Sequence, residues 1–160
     1  MRNNRCFNLL VILVFVLSAT VAWAVELPAN RLVSSQWLSD HLDSTDLRII
    51  DMRPKITDYW LGHVPGAAHL PSDALRAPDH GVPGMLMPVD ALVALFGQLG
   101  LTPQTPIVVY SEKSDYNPTY LVWALNYLGN TNVAMLDGGF GTVSYTHLRA
   151  HETVLDLVCR

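Results

Sequence analysis

Cysteine is almost missing from this 160-residue chain: there are two, Cys6 and Cys159, one near each end. The long stretch between them holds no thiol and so no disulfide, which a domain of this size does not require even in an oxidising compartment. Clusters of positive charge are missing too. Between Val25 and Thr142, six Lys or Arg stand against twelve Asp or Glu, and no basic run interrupts that balance. Nucleic acid is therefore not an expected partner, because neutralising phosphates supplies most of that affinity. Internal repeats and low-complexity segments are absent. The apolar run Leu9 to Leu17 falls short of the roughly 20 residues of a membrane span.

What is present begins with an export pattern. Arg2 and Arg5 precede the apolar run, and Ala22-Trp23-Ala24 follows it as a small-x-small cleavage site. Residues 1–24 are thus expected to be a signal peptide, with Val25 as the mature terminus and the periplasm as destination. Contact with a membrane is expected only through an uncleaved signal. Cys6 lies before the apolar run, so it does not fit a lipid-modified cysteine after a cleavage site.

From Arg31 onward short helices alternate with short apolar runs. Ser34 or Ser35 caps a helix running to about Leu42, with Trp37, Leu38 and Leu42 apolar. Leu47 to Asp51 reads as a strand ending in an acid, and Ala67 to Leu70 as another. Pro88 suits the first turn of a helix in which Leu92, Leu95, Phe96 and Leu99 share one face, stopped by Gly100. Pro106 to Tyr110 is a β-branched run expected to be a buried strand. Asn117-Pro118 reads as N-cap and first helical residue, and the helix continues to Leu128 before Gly129. Val133 to Leu136 is the next strand. Ala77 to Pro88, rich in Pro and Gly, reads as a surface loop. This order implies an α/β fold with a central parallel sheet flanked by helices on both faces. Function in such sheets lies at the carboxyl ends of strands. The loop after Tyr110 sits at such an end and at a helix amino terminus, where anions are favoured.

The residues in order resemble the rhodanese-like domain. Ile50-Asp51-Met52-Arg53, Tyr59 and Gly62-His63-Val64-Pro65-Gly66-Ala67-Ala68-His69-Leu70 match its front signature. Ile107 to Tyr110, Trp123-Ala124-Leu125, Tyr127-Leu128-Gly129 and Leu136-Asp137-Gly138-Gly139-Phe140 match its rear half. The match runs from about Leu32 to Thr142, within a domain expected over 25–142. The resemblance implies sulfurtransferase ancestry, the movement of sulfane sulfur from a donor such as thiosulfate to a thiophilic acceptor. It also implies a cysteine directly after the strand ending at Tyr110.

Here that position is Ser111, opening an active-site-like loop of Ser111, Glu112, Lys113, Ser114, Asp115, Tyr116 and Asn117. A persulfide needs a thiolate, which serine cannot supply. Glu112 and Asp115 add negative charge that repels an anionic donor, Lys113 offsets one of them, and the loop has no glycine. No catalytic residue is therefore assigned, and the chain is expected to be silent. Tandem members of the family carry two such domains, of which the first often lacks the cysteine while the second is catalytic. The long segment Ala77 to Pro88 and Trp123-Ala124-Leu125 resemble such a first domain. The expected partner is then a missing carboxyl-terminal rhodanese domain, with a small anionic sulfur donor bound only by the full-length protein. The alternative is a stand-alone binding or regulatory module.

The tail 143–160 resembles translated adapter read-through and is expected to be non-native. His147 and His151 lie in it, four apart but with no third ligand, so neither a metal nor another cofactor is expected. His63 and His69 are expected to bond loop backbone, and His41 and His80 to lie on the surface. Asp51 and Arg53 are expected to form an ion pair or hydrogen-bond hub. Asp137-Gly138-Gly139 reads as a strand-exit turn needing positive φ. Ser111 as a hydrolase nucleophile lacks the G-x-S-x-G context. Trp37, Trp60 and Trp123 are expected to pack in the core.

Overall fold

The computed structural model describes residues 25–145. Five parallel strands form one sheet in the order β1-β7-β6-β2-β3: β1 (Leu32–Val33), β2 (Arg48–Asp51), β3 (Ala67–His69), β6 (Ile107–Tyr110) and β7 (Val133–Leu136). Register sets Ala67, Ile49, Val108 and Ala134 in one row across four strands. Successive strand residues face opposite ways, so Ile50, Ile107, Val109 and Val133 point to the other face. Each face has its own core. Helices α1 (Ser35–Asp40) and α5 (Phe140–Tyr145) cover the first with Leu38, Phe140 and Val143. Helices α3 (Val89–Gln98) and α4 (Asn117–Tyr127) cover the second with Leu92, Phe96, Leu121 and Leu125. The near-continuous apolar strands follow from burial on both sides.

The chain leaves β2 through α2 (Ile56–Leu61) toward β3 on one side and leaves β6 through α4 toward β7 on the other. The adjacent carboxyl ends of β2 and β6 therefore form the switch point of the sheet, where open α/β folds place their ligands. Asp51 and Tyr110 are register partners at that point.

Four expectations are corrected. Ala77 to Pro88 is not an irregular loop: β4 (Arg76–Asp79) and β5 (Val82–Leu86) pair antiparallel. His80 and Gly81, at φ 46° and 81°, make the two-residue turn with positive φ that hairpins favour. The prolines conceal the ribbon in the sequence, yet a two-stranded ribbon is all edge and tolerates them. At α4 the cap is Tyr116, not Asn117, and Pro118 is second in the helix; Asp115 instead receives the Asn117 amide at 3.0 Å. Trp60 and Trp123 are 58% and 52% exposed, because α2 buries none of its residues and α4 turns Leu121 and Leu125 inward in place of the indole. His41 is half-buried rather than superficial, its ring stacked 4.0 Å from Trp37. Helix α5 runs past Thr142, and its Val143 is fully buried. The signal segment, both cysteines, His147 and His151 lie outside the described residues. Among the described residues no helix is long and apolar enough to cross a membrane.

Candidate functional site

Asp51 is fully buried, and an unpaired buried carboxylate is costly. Here it is held from every side. Arg53 donates Nε and Nη2 to it at 3.0 and 2.6 Å, and the Arg53 amide adds a bond of 2.9 Å. The Tyr110 hydroxyl donates to the same carboxylate at 2.9 Å and accepts from the Val64 amide at 3.1 Å. Arg53 Nη2 also donates to the Gly62 carbonyl at 2.7 Å, and the guanidinium lies 3.9 Å from the centre of the Phe140 ring. Burial opposes the Arg53 charge, but the bonds and charge of Asp51 outweigh it, so its pKa rises above the ordinary guanidinium value. Burial and the Asp51 charge push Tyr110 far above the usual phenol range. The switch-point crevice is thus filled by an internal, satisfied ion pair.

Gly62-His63-Val64-Pro65-Gly66 wraps this hub. Gly62 ends α2, and Gly66 takes φ 76° in the turn into β3. Buried His63 bonds the Tyr59 carbonyl through Nδ1 at 3.0 Å and stacks on the Tyr59 ring, while His69 Nε2 bonds the Arg53 carbonyl at 2.8 Å. His69 thus bonds loop backbone, whereas the carbonyl that His63 meets belongs to α2.

Ser111 follows Tyr110 and is 1% exposed. Its Oγ donates to Asp115 at 2.5 Å, and Asn117 adds its amide and Nδ2 to the same carboxylate at 3.0 Å each. Burial pushes Asp115 up, yet the bonds from Ser111 and Asn117 more than offset it and hold the carboxyl below its ordinary value. The loop therefore caps its own helix with an internal carboxylate. Ser114 takes φ 64° at the tip, where no glycine is available. Exposed Glu112 reaches to 3.7 Å of Arg53 Nη1, and Lys113, Ser114 and Tyr116 are exposed.

Asp137-Gly138-Gly139 docks beneath this loop. The Phe140 amide donates to the Ser111 carbonyl at 2.8 Å. A Cβ on Gly139 would lie 2.6 Å from that carbonyl oxygen. Between the loop, the end of β7 and Leu32 lies a pocket of about 170 Å³, lined among others by Ser111, Ser114, Asp115, Thr119 and Asp137. Its walls carry acids and hydroxyls and no cation. Among the described residues no group of His, Cys, Asp and Glu is arranged to hold a metal.

The sequence reading places Asp51 with Arg53 and Ser111 with Asp115 in their neighbourhoods but misses Tyr110, Phe140 and Tyr59. Tyr110 carries a usable signal: a hydroxyl at the end of a fully buried strand must find a partner.

The family model for the rhodanese-like domain matches residues 34–144. A putative thiosulfate sulfurtransferase of Synechococcus elongatus is 30% identical over 145 residues, 87% of this chain and 45% of the relative. The 3-mercaptopyruvate sulfurtransferase of Escherichia coli is 26% identical, over 78% of this chain and 48% of its own. The crystal structure of SseA from Escherichia coli, a 3-mercaptopyruvate sulfurtransferase, superposes with a TM-score of 0.68 at 25% identity, covering 78% of this chain and 52% of that one. The chain spans about half the length of the curated relatives it matches, or less.

Proposed function

Because the chain belongs to the rhodanese-like domain family, we propose that it is the non-catalytic amino-terminal domain of an exported, tandem-domain thiosulfate sulfurtransferase. The observation that carries this reading is Ser111: the residue after β6 is a buried alcohol whose Oγ is engaged by Asp115. In sulfane transfer a thiolate attacks the outer sulfur of thiosulfate, the S–S bond breaks, sulfite leaves, and a persulfide remains for the acceptor. An alcohol offers neither the low-pKa nucleophile nor the sulfur to hold the travelling atom. The internal carboxylate at the head of α4 and the acidic pocket repel an anionic donor as well. Catalysis in the parent then rests on a cysteine of a second domain, which also binds the donor. The lengths of the relatives support that arrangement, since the matched region fills 36–48% of each of them.

One observation favours a second reading. The pocket beside Ser111, with Asp115 and Asp137 in its walls, suits a cationic group, as in a stand-alone binding module.

The uninterrupted reading frame discriminates between them: a second rhodanese-like domain with a cysteine directly after the equivalent strand is expected, and a natural stop after the Asp137 turn sinks the tandem reading. A thiosulfate–cyanide assay tests silence. No turnover is expected from the chain or from Ser111→Ala, and little from Ser111→Cys, in which Glu112 and Asp115 remain. Activity of the unaltered chain that disappears in Ser111→Ala overturns the assignment, as does the mass gain of one sulfur atom at Ser111 after incubation with thiosulfate.

A further inference from the structure

Charge is distributed unevenly over the two faces of the sheet. Residues 81–110 contain a single charged side chain, Asp90, and residues 116–136 contain none. These segments build α3 and α4, whose outer surfaces should be the most charged part of an isolated α/β layer. Instead Val93, Trp123 and Tyr127 are 57%, 52% and 62% exposed. Trp123 lies between Tyr120 and Tyr127, ring centres 5.7 and 6.1 Å away, and the Arg76 guanidinium sits 4.3 Å from the Tyr120 ring. Between the two helices opens an apolar cavity of about 120 Å³, lined by Val93, Phe96, Leu101, Pro103, Leu125 and Leu128 among others. Charge depletion, Trp, Tyr and Arg anchors, and a socket for one aliphatic side chain are the composition of an interface centre.

We propose that the α3–α4 face is the surface on which a second α/β domain, supplied by the longer parent chain, docks. This deepens the tandem reading above and rests on it. The relatives are at least about twice as long as the region they share with this chain, so a further domain's worth of polypeptide has to be accommodated against some surface. The other face is closed by α1 and α5 and bordered by Asp40, Asp43 and Asp46. A lipid surface is a poorer occupant, since anionic headgroups need a cluster of cations, and α3 and α4 carry none of their own, Arg76, Arg31 and Arg48 reaching them singly. The docking domain should offer a complementary uncharged surface with one protruding aliphatic side chain that enters the cavity between Val93 and Leu128.

The test uses the two-domain product of the uninterrupted gene beside the present chain. Val93→Lys and Tyr127→Lys sit at exposed positions, so each is expected to leave the melting temperature of the present chain unchanged within about 2 °C, as for ordinary surface substitutions. In the two-domain protein the pair is expected to split one cooperative transition into two. A second domain that is present but melts together with the first regardless of both substitutions overturns the inference while leaving the tandem reading intact. A frame without a second domain removes the tandem reading itself. Two further results overturn the assignment of the occupant: dimerisation of the present chain that Tyr127→Lys abolishes gives the face to a second copy, and binding to phosphatidylcholine vesicles that Tyr127→Lys abolishes gives it to lipid.

Discussion

The Ser111 hydroxyl and the Asp115 carboxylate close the loop after the central strand with a hydrogen bond of 2.5 Å. The same carboxylate takes two donors from Asn117 at the head of α4. The bonds that an external anion would make at this helix end are therefore made by the chain's own side chain.

This cap is pH-dependent. Burial raises the Asp115 pKa and the hydrogen bonds lower it further than burial raises it, so the folded value lies below the unfolded one. Its stabilisation is complete above the unfolded carboxylate pKa and is lost as pH falls through the folded value. Asp115→Asn is expected to cost about 1 kcal/mol at neutral pH, the order of a lost helix cap. The difference between the two proteins should narrow below about pH 4, the unfolded carboxylate value, and close once pH has fallen through the lower folded value. Thermal melts at both pH values measure it, and an undiminished gap in acid would contradict the cap.

Tyr110 makes a second prediction. Its hydroxyl bridges Asp51 and the Val64 amide, and burial with the Asp51 charge pushes its pKa far above the usual phenol range. The neutral form is favoured in the folded state, so its stabilisation is intact below about pH 10 and falls as pH rises and the unfolded phenol ionises. Of the six tyrosines, Tyr110 is expected to be missing from the spectrophotometric titration until the domain unfolds. Tyr110→Phe should cost about 1–3 kcal/mol by orphaning the buried Val64 donor. A titration of the folded domain that loses one ionising phenol in Tyr110→Phe counts against the bridge.

How much of this could be read beforehand depended on range. β2, β6 and β7 are dense apolar runs with turn residues at their ends, and their burial on two faces follows from that density alone. The Asp51–Arg53 pair, two residues apart at a strand end, was equally open. Tyr110 was not, because its partner Asp51 lies 59 residues away and only the strand order brings them together. The β4–β5 hairpin was hidden by Pro78 and Pro83, which argue against strands everywhere except on an edge. Trp60 and Trp123 were misplaced because composition does not say which side of a short helix meets the sheet.

The buried pair itself gives the third prediction. Asp51 and Arg53 are 0% and 2% exposed and bonded at 2.6 Å. Removing one partner leaves the other charge buried and unpaired, at a cost of about 3–5 kcal/mol. Arg53→Met and Asp51→Asn are each expected to destabilise by that order. The double variant should cost clearly less than the two together, because the second substitution removes the charge orphaned by the first. Additive losses in a denaturant-melt cycle would mean that the two side chains act separately.

Gly139 joins the loop to the core, and it can be compared with a glycine that joins nothing. At φ 65° Gly139 occupies a left-handed conformation, and an added Cβ would meet the Ser111 oxygen at 2.6 Å and the Glu112 carbonyl carbon at 2.9 Å. Both obstacles are backbone, so they cannot swing aside as a side chain would. Gly97, inside α3 and without positive φ, has nothing within 4 Å of its added Cβ. Gly97→Ala is expected to stabilise by about 0.5–1 kcal/mol through reduced freedom of the unfolded chain and better helix propensity. Gly139→Ala is expected to destabilise by at least about 1–2 kcal/mol from the left-handed backbone alone, and to push the Ser111–Asn117 loop off its seat. Amide exchange separates the two effects. In Gly139→Ala the Phe140 amide, bonded to the Ser111 carbonyl at 2.8 Å, should lose protection ahead of the β2 and β6 amides. If it stays as protected as they are, the glycine turn and the serine loop are not the single seated unit that their geometry describes.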